Sequence, residues 1–115
     1  MHELSIVMSI VDTVEKERKK QQADVVESIE LEIGKLSGVE MDAFYFAWDA
    51  GVSKTILEKT KLKINRPPAK AKCNACGHAF AAESSFDVCP ECGNPFCEII
   101  SGKELRIKRM TVIKN

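Results

Sequence analysis

The stretch that decides the fold of this chain is Cys73-Asn-Ala-Cys76-Gly77, followed after a short gap by Cys89-Pro-Glu-Cys92-Gly93. Each pair is a Cys-x-x-Cys turn, in which two intervening residues let both sulfur atoms point at one centre. Two such turns separated by residues 77–88 have the spacing of a four-cysteine zinc site. We therefore predict that one structural Zn(II) is bound by Cys73, Cys76, Cys89 and Cys92.

Two alternatives to zinc share this pattern. Cys-x-x-Cys turns also bind iron in sites of the rubredoxin type, and each pair could instead be a redox dithiol. The short gap between the pairs favours a zinc ribbon. A closed site of four sulfur atoms has no open position, so its role is predicted to be structural. Residues 67–102 carry two lysines and four carboxylates. A ribbon of negative charge, made more negative by four thiolates, would repel phosphate, which argues against nucleic-acid binding.

On either side of the cysteines the chain changes character. Pro67-Pro68 stops regular structure and marks a boundary. We predict a zinc-ribbon subdomain over residues 67–102, inserted into an α+β domain made of residues 1–66 and 103–115. Residues 103–113 form the last strand, with a bulge near Lys108–Arg109 because the apolar phase changes there.

The first 66 residues alternate between helical and extended patterns. Apolar residues at helical spacing predict a helix over residues 4–21, and period-two alternation predicts strands over 28–34 and 61–66. Ser37 and Glu40 have capping-box spacing, so a second helix is predicted over 37–53. The fold class is α+β: two helices packed on a small three-stranded mixed sheet, with an inserted four-cysteine zinc ribbon.

The aromatic residues are expected to be mostly internal. Four of them lie within five positions of the second helix, which predicts burial of much of its surface: Phe44, Tyr45, Phe46 and Trp48. Phe80, Phe86 and Phe96 are expected to pack around the cysteine turns. Cys97 is predicted to be a free, packed thiol, and His78 a turn or surface histidine.

Charge and composition exclude several classes of protein. The 115 residues carry 17 basic and 17 acidic side chains, whereas nucleic-acid binders usually show a basic excess. No apolar run is long enough to cross a bilayer, so membrane insertion is not expected. The start lacks the pattern of a secretory signal, and five cysteines do not make a disulfide framework. We therefore expect a cytoplasmic protein.

The N-terminus offers a second metal site. His2 follows a free amine, so the amine, the intervening amide nitrogen and the imidazole together could chelate a square-planar ion. Tetragonal nitrogen ligands favour Ni(II) or Cu(II) over zinc.

Met1-His-Glu-Leu-Ser5 at the start of a short chain, combined with a single four-cysteine ribbon, resembles the HypA/HybF family of hydrogenase-maturation nickel metallochaperones. The resemblance extends to Ile33-Gly-Lys-Leu-Ser37. It implies that His2 binds nickel with help from the Met1 amine and the backbone nitrogens of His2 and Glu3, and that the four cysteines bind zinc. An acidic side chain that approaches nickel in some members corresponds to Glu40.

The resemblance also implies delivery of Ni(II) with a maturation GTPase to the large subunit of [NiFe]-hydrogenase, and in some bacteria to urease. Three rival interpretations are a zinc-ribbon interaction module without nickel, an iron electron carrier, and an enzyme. The last is the least supported, because no nucleophile is paired with a base. The sequence does not decide between hydrogenase and urease, or between a monomer and a homodimer.

Overall fold

The computed structural model of the chain describes residues 2–115, and its element order agrees with the predicted one. The elements are α1 (Glu3–Lys20), β1 (Val25–Ile33), α2 (Met41–Gly51), β2 (Lys61–Asn65), β3 (Lys70–Cys73), β4 (Ala79–Ala81), β5 (Cys97–Ser101) and β6 (Leu105–Ile113). They form two three-stranded sheets, ordered β2-β1-β6 and β4-β3-β5. This confirms the α+β class with two helices and a cysteine-rich insert. No helix within residues 2–115 has the length and apolar character needed to cross a membrane.

The chain divides into two compact units. The first consists of the residues up to Leu31 with Val39–Ile64 and Ile107–Asn115, and the second of Glu32–Gly38 with Asn65–Arg106. The first therefore holds both helices, and the second holds all five cysteines.

β1 and β6 are antiparallel neighbours. The Asp24 N–H donates to the Ile113 carbonyl (3.0 Å), and the Gly34 N–H donates to the Glu104 carbonyl (2.8 Å). The half-buried residues of β6 are Ile107, Met110 and Val112, so the inward phase changes at 108–109, as predicted. The bulge itself stays a prediction.

β1 shows the predicted alternation. Ile29, Leu31 and Ile33 are buried, while the glutamates between them lie on the other face. There the Glu30 carboxylate accepts a 3.0 Å hydrogen bond from Arg109. The strand has a buried face and a charge-paired face, which fixes its register.

The helices of the first unit pack on one side only. Phe44 is fully buried and Trp48 is 5% exposed, with ring centroids 6.2 Å apart. Tyr45 and Phe46, however, are 49% and 79% exposed, so the prediction that most of this helix is buried was wrong. Successive residues of an α-helix are about 100° apart, and α2 has packing partners only on the Phe44–Trp48 side.

The predicted start of α2 was also wrong. α2 begins at Met41 with Glu40 as its N-cap, and the Glu40 carboxylate accepts hydrogen bonds from the N–H groups of Asp42 (3.2 Å) and Ala43 (2.7 Å). Residues 34–38 form a turn instead, in which the Ser37 N–H donates to the Gly34 carbonyl. Ser37 is therefore not a helix cap.

Two glycines in the second unit allow close backbone contact. A Cβ added to Gly34 would lie 2.1 Å from the Gly102 carbonyl oxygen, and one added to Gly102 would lie 2.5 Å from the Ala69 Cα. Gly102 also has a φ of +104°, which L residues rarely adopt. Only glycine fits at these two positions.

We expect Gly102→Ala to lower the free energy of unfolding by about 3 kcal/mol, because backbone strain and steric overlap act together. The measurement is urea unfolding of the zinc-loaded protein. Gly93→Ala is the matched control, since Gly93 has a φ of +74° and no atom within 4 Å of its added Cβ. Its expected cost is about 1 kcal/mol from conformation alone. Equal costs for both variants would show that the steric overlap does not matter.

Candidate metal centres

The four predicted ligand sulfur atoms lie together in the second unit. All four Sγ atoms of Cys73, Cys76, Cys89 and Cys92 are within 4.8 Å of one another. Cys73 Sγ is 3.6 Å from Cys92 Sγ, and Cys76 Sγ is 3.7 Å from Cys89 Sγ. Sulfur atoms bound tetrahedrally at about 2.3 Å from zinc would be about 3.8 Å apart, so the cluster is compatible with zinc.

Local backbone geometry brings these sulfur atoms together. Gly77 has a φ of +76°, and its N–H donates a hydrogen bond to the Cys73 carbonyl (3.1 Å). Likewise, Gly93 has a φ of +74°, and its N–H donates to the Cys89 carbonyl (2.8 Å). The N–H groups of Ala75 and Cys76 both point at Cys73 Sγ, each at 3.4 Å. These turns therefore orient donors toward sulfur atoms that carry negative charge when they bind a metal.

The closeness of the four thiols affects their protonation and favours the binding of a divalent cation. The N–H groups of Cys76 and Ala75 hold the pKa of Cys73 down to about 6. The Asn94 N–H has the same effect on Cys92, but the neighbouring Cys73 thiol and burial outweigh it and raise the pKa of Cys92 to about 12. Four thiolates at this separation repel one another, and a divalent cation removes that repulsion. Metal binding must then release protons and become tighter as pH rises.

The aromatic residues near the cluster differ from expectation. Phe86 is 89% exposed and Phe96 is 73% exposed, and only Phe80 is half-buried. The prediction that all three pack around the cysteine turns was wrong for Phe86 and Phe96. The buried centre of the apolar cluster here is built from small residues: Ala69, Ala71 and Ala82, joined by the half-buried Leu36, Phe80, Cys97 and Ile99.

The two remaining predicted candidates lie beside the cluster. Cys97 is half-buried, forms no disulfide, and its thiol donates to the Asn94 carbonyl at 3.5 Å. Burial raises the pKa of the Cys97 thiol above its ordinary value. The ring of His78 stacks on Phe80, and its Nε2 is 3.9 Å from the Glu91 carboxylate. His78 is not a member of the four-sulfur group.

One contributor to the cluster was not predicted. The side-chain Nδ2 of Asn94 lies 3.7 Å from Cys73 Sγ, while its Oδ1 accepts a hydrogen bond from the Phe96 N–H (3.2 Å). An asparagine directly after Cys92-Gly93 is the available sequence signal, because asparagine side chains commonly bond to backbone two residues ahead.

The predicted nickel-binding residues lie at the start of the first unit. His2 is exposed and directly precedes α1, and its carbonyl accepts the first helical hydrogen bond, from the Ile6 N–H (3.3 Å). The predicted contact of the Met1 amine lies outside the described residues. The first N–H groups of a helix have no acceptor within the helix, so the backbone N–H groups of His2 and Glu3 are not needed for helical hydrogen bonding.

Glu3 joins the starts of the two helices, a contact that sequence reasoning missed. Its Oε2 accepts a hydrogen bond from the Glu40 N–H (3.2 Å), and this N–H, together with that of Glu3 itself, lowers the pKa of the Glu3 carboxyl. The backbone of Glu40 is thus held close to Glu3, while both carboxylate oxygens of Glu40 cap α2.

We expect Glu40→Ala to destabilise the protein by about 1 kcal/mol, because α2 loses its N-cap. The measurement is the thermal midpoint, with Glu40→Asp as the conservative control because aspartate is a good N-cap. If nickel affinity falls in Glu40→Ala but not in Glu40→Asp, the carboxylate also contributes to the nickel site. An unchanged thermal midpoint would contradict the capping role.

Known proteins resemble this chain over nearly its whole length. Residues 1–112 match the family described as "Hydrogenase/urease nickel incorporation, metallochaperone, hypA". The chain is 41% identical over 112 residues to the hydrogenase maturation factor HypA of Prosthecochloris aestuarii, covering 97% of this chain and 99% of that protein. It is 41% identical over 114 residues to the HypA of Parabacteroides distasonis, covering 99% of each.

Solved structures agree with this match. The solution structure of the Ni metallochaperone HypA from Helicobacter pylori superimposes with a TM-score of 0.71 at 26% identity, covering all of both chains. The family description is that of a metallochaperone, which confirms the prediction that the chain is not an enzyme. By its match over residues 1–112 and its relatives at 41% identity, the chain belongs to the HypA family of nickel metallochaperones that act in hydrogenase maturation.

Proposed function

We propose that this protein binds Ni(II) at its N-terminus through His2 and delivers it for the maturation of [NiFe]-hydrogenase, while Zn(II) at the four cysteines has a structural role. The observation that carries the proposal is the position of His2, which is exposed and directly precedes α1 in a chain of this family. A cargo ion held at an exposed tip can be passed on, whereas an ion enclosed by four sulfur atoms cannot leave easily.

The start of α1 suits the proposed nickel ligands. These are the His2 imidazole, the Met1 amine and the backbone nitrogens of His2 and Glu3. A backbone nitrogen must lose its proton to bind a metal, and at the start of a helix this loss breaks no helical hydrogen bond. The positive end of the helix dipole also favours an amide that has become negative. All of the proposed ligand atoms are nitrogens, which suits Ni(II).

The proposed zinc site supplies stability that the second unit otherwise lacks. Its apolar cluster is centred on Ala69, Ala71 and Ala82, which bury little surface. Metal binding by four thiolates contributes on the order of 10 kcal/mol to the folding of small zinc domains. We therefore propose that residues 67–102 fold around zinc and that residues 1–66 with 103–115 carry nickel.

Delivery requires partners. By family membership we propose a maturation GTPase of the nickel-insertion pathway and the large subunit of [NiFe]-hydrogenase, with urease as a second recipient where the organism makes one. We propose a cytoplasmic location, because cysteines that form no disulfides suit a reducing compartment.

The test is complementation of a host strain that lacks this gene. Wild-type protein is expected to restore nickel in the purified hydrogenase, and His2→Ala is not. Excess nickel in the medium should rescue His2→Ala, because the missing step is nickel supply. His78→Ala is the matched control, since the chain has only these two histidines. Full restoration by His2→Ala at low nickel would favour the rival interpretation, a zinc-ribbon interaction module. Urease measured in the same strains identifies the second recipient.

A further inference from the structure

Cys97 stands directly opposite a proposed zinc ligand. In the antiparallel pair of β3 and β5, Cys73 is the register partner of Cys97. The Asn74 N–H donates to the Phe96 carbonyl (3.1 Å), while the Cys73 N–H turns away to the His78 carbonyl (2.9 Å). This pattern makes Cys73 and Cys97 a non-hydrogen-bonded pair, the type in which the two side chains lie closer and on the same face of the sheet.

The geometry of such a pair suits a disulfide. The Cα atoms of directly opposed residues in a non-hydrogen-bonded pair are about 4.5 Å apart, which is within the range of about 4.4–6.8 Å that disulfides span. A disulfide between the two is therefore compatible with the strand pairing. Cys97 is also held in place, because its thiol donates to the Asn94 carbonyl while the Asn94 side chain reaches Cys73 Sγ.

We propose that Cys97 is a resolving thiol that forms a disulfide with Cys73 under peroxide and thereby removes one ligand from the zinc site. This inference rests on the proposed zinc site. It assigns a role to the fifth cysteine, which neither metal site uses.

The reaction begins at an exposed ligand. Cys92 is exposed and would be deprotonated as a ligand of the proposed zinc site, so its thiolate attacks hydrogen peroxide to give a sulfenic acid and a hydroxide ion. The Cys73 thiolate, whose sulfur is 3.6 Å from that of Cys92, displaces a second hydroxide and forms the Cys73–Cys92 disulfide. Two thiolates are oxidised by two electrons, and one peroxide is reduced to two hydroxide ions.

Thiol–disulfide exchange then moves the bond. Cys97 attacks Cys73 Sγ, and Cys92 leaves as the thiolate that takes up the proton lost by Cys97. The product is a Cys73–Cys97 disulfide across the strand pair with Cys92 reduced again. The Cys73–Cys92 intermediate leaves only two of the four zinc ligands, and the exchange returns Cys92, so three ligands remain and zinc affinity stays below that of the reduced protein.

The experiment treats zinc-loaded, full-length protein with hydrogen peroxide and follows zinc release with a chromogenic chelator. Free thiols are then alkylated. Trypsin with a glutamate-specific protease separates residues 73–83, 84–91 and 92–98, and tandem mass spectrometry identifies the linked cysteines. In wild type we expect a link between Cys73 and Cys97. In Cys97→Ser we expect a persistent link between Cys73 and Cys92 and a greater loss of zinc, and in both proteins dithiothreitol should restore zinc binding.

The matched control is the double variant Cys97→Ser with Glu98→Cys. It keeps five cysteines but moves the thiol by one residue, opposite Lys72 and to the other face of the sheet. This variant is expected to behave like Cys97→Ser. The proposal is overturned if Cys97 stays alkylatable in wild type while only the four ligand cysteines link, or if Cys97→Ser loses zinc to the same extent as wild type. Zinc content before peroxide tests the zinc site separately, since a protein without zinc could still form the disulfide.

Discussion

Cys89→Ser should abolish the order of the second unit while leaving the first unit folded. Cys89 is 1% exposed, and its sulfur is 3.7 Å from that of Cys76, so a hydroxyl in its place cannot complete the four-sulfur site. We expect zinc affinity to fall by more than about a hundredfold, because a direct ligand is lost. Without the metal, the alanine-centred cluster cannot offset the entropy of ordering residues 69–101.

The measurement combines zinc analysis with amide spectra of the labelled protein. Signals of residues 69–101 are expected to collapse into the narrow range of an unfolded chain, whereas those of α1 and α2 stay dispersed. Cys97→Ser is the control, since it removes a thiol from the same unit without removing a proposed ligand. Retention of stoichiometric zinc and dispersed ribbon signals in Cys89→Ser would refute the assignment of Cys89 as a ligand.

His2→Ala is the second substitution with a large expected effect. It removes the only imidazole at the N-terminus, and we expect nickel affinity to fall on the order of a hundredfold or more. Zinc content should stay unchanged, because the four cysteines lie in the other unit. Calorimetric titration of nickel into untagged, zinc-loaded protein measures the nickel affinity, and elemental analysis of the same sample measures the zinc content.

Two controls sharpen this titration. His78→Ala removes the other histidine, which stacks on Phe80, and should leave nickel affinity unchanged. An extension of several glycines before Met1 keeps His2 but moves the amine too far away to chelate the same ion, so it should weaken nickel binding as strongly as His2→Ala does. Equal affinity in wild type, His2→Ala and the extended protein would place the nickel elsewhere.

The parts of the fold that local chemistry determines were predictable. The four cysteines could be assigned from spacing alone, because a Cys-x-x-Cys turn fixes its own geometry, and α1 was predicted to within one residue at each end. The alternation of Ile29, Leu31 and Ile33 identified the buried face of β1 in the same way. His2 was singled out by its place next to a free amine, which is weak evidence for a single histidine, and more specifically by the family resemblance.

Contacts between residues far apart in sequence account for the errors. Ser37 was predicted as the helix cap with Glu40 in the first turn, but residues 34–38 form a turn that contacts Gly102, whose carbonyl accepts a hydrogen bond from the Leu36 N–H (2.7 Å). The exposure of Tyr45 and Phe46 likewise depends on how many elements pack against α2, which composition does not specify. The pairing of Cys73 with Cys97 requires the register of β3 and β5.

The distribution of aromatic and sulfur-containing side chains has a practical consequence. The single tryptophan and the single tyrosine, Trp48 and Tyr45, belong to the first unit, and every cysteine belongs to the second. Tryptophan fluorescence therefore reports the unfolding of the first unit and not of the second. The reactivity of the thiols reports the unfolding of the second unit and not of the first. One sample can thus yield two independent unfolding curves without any added label.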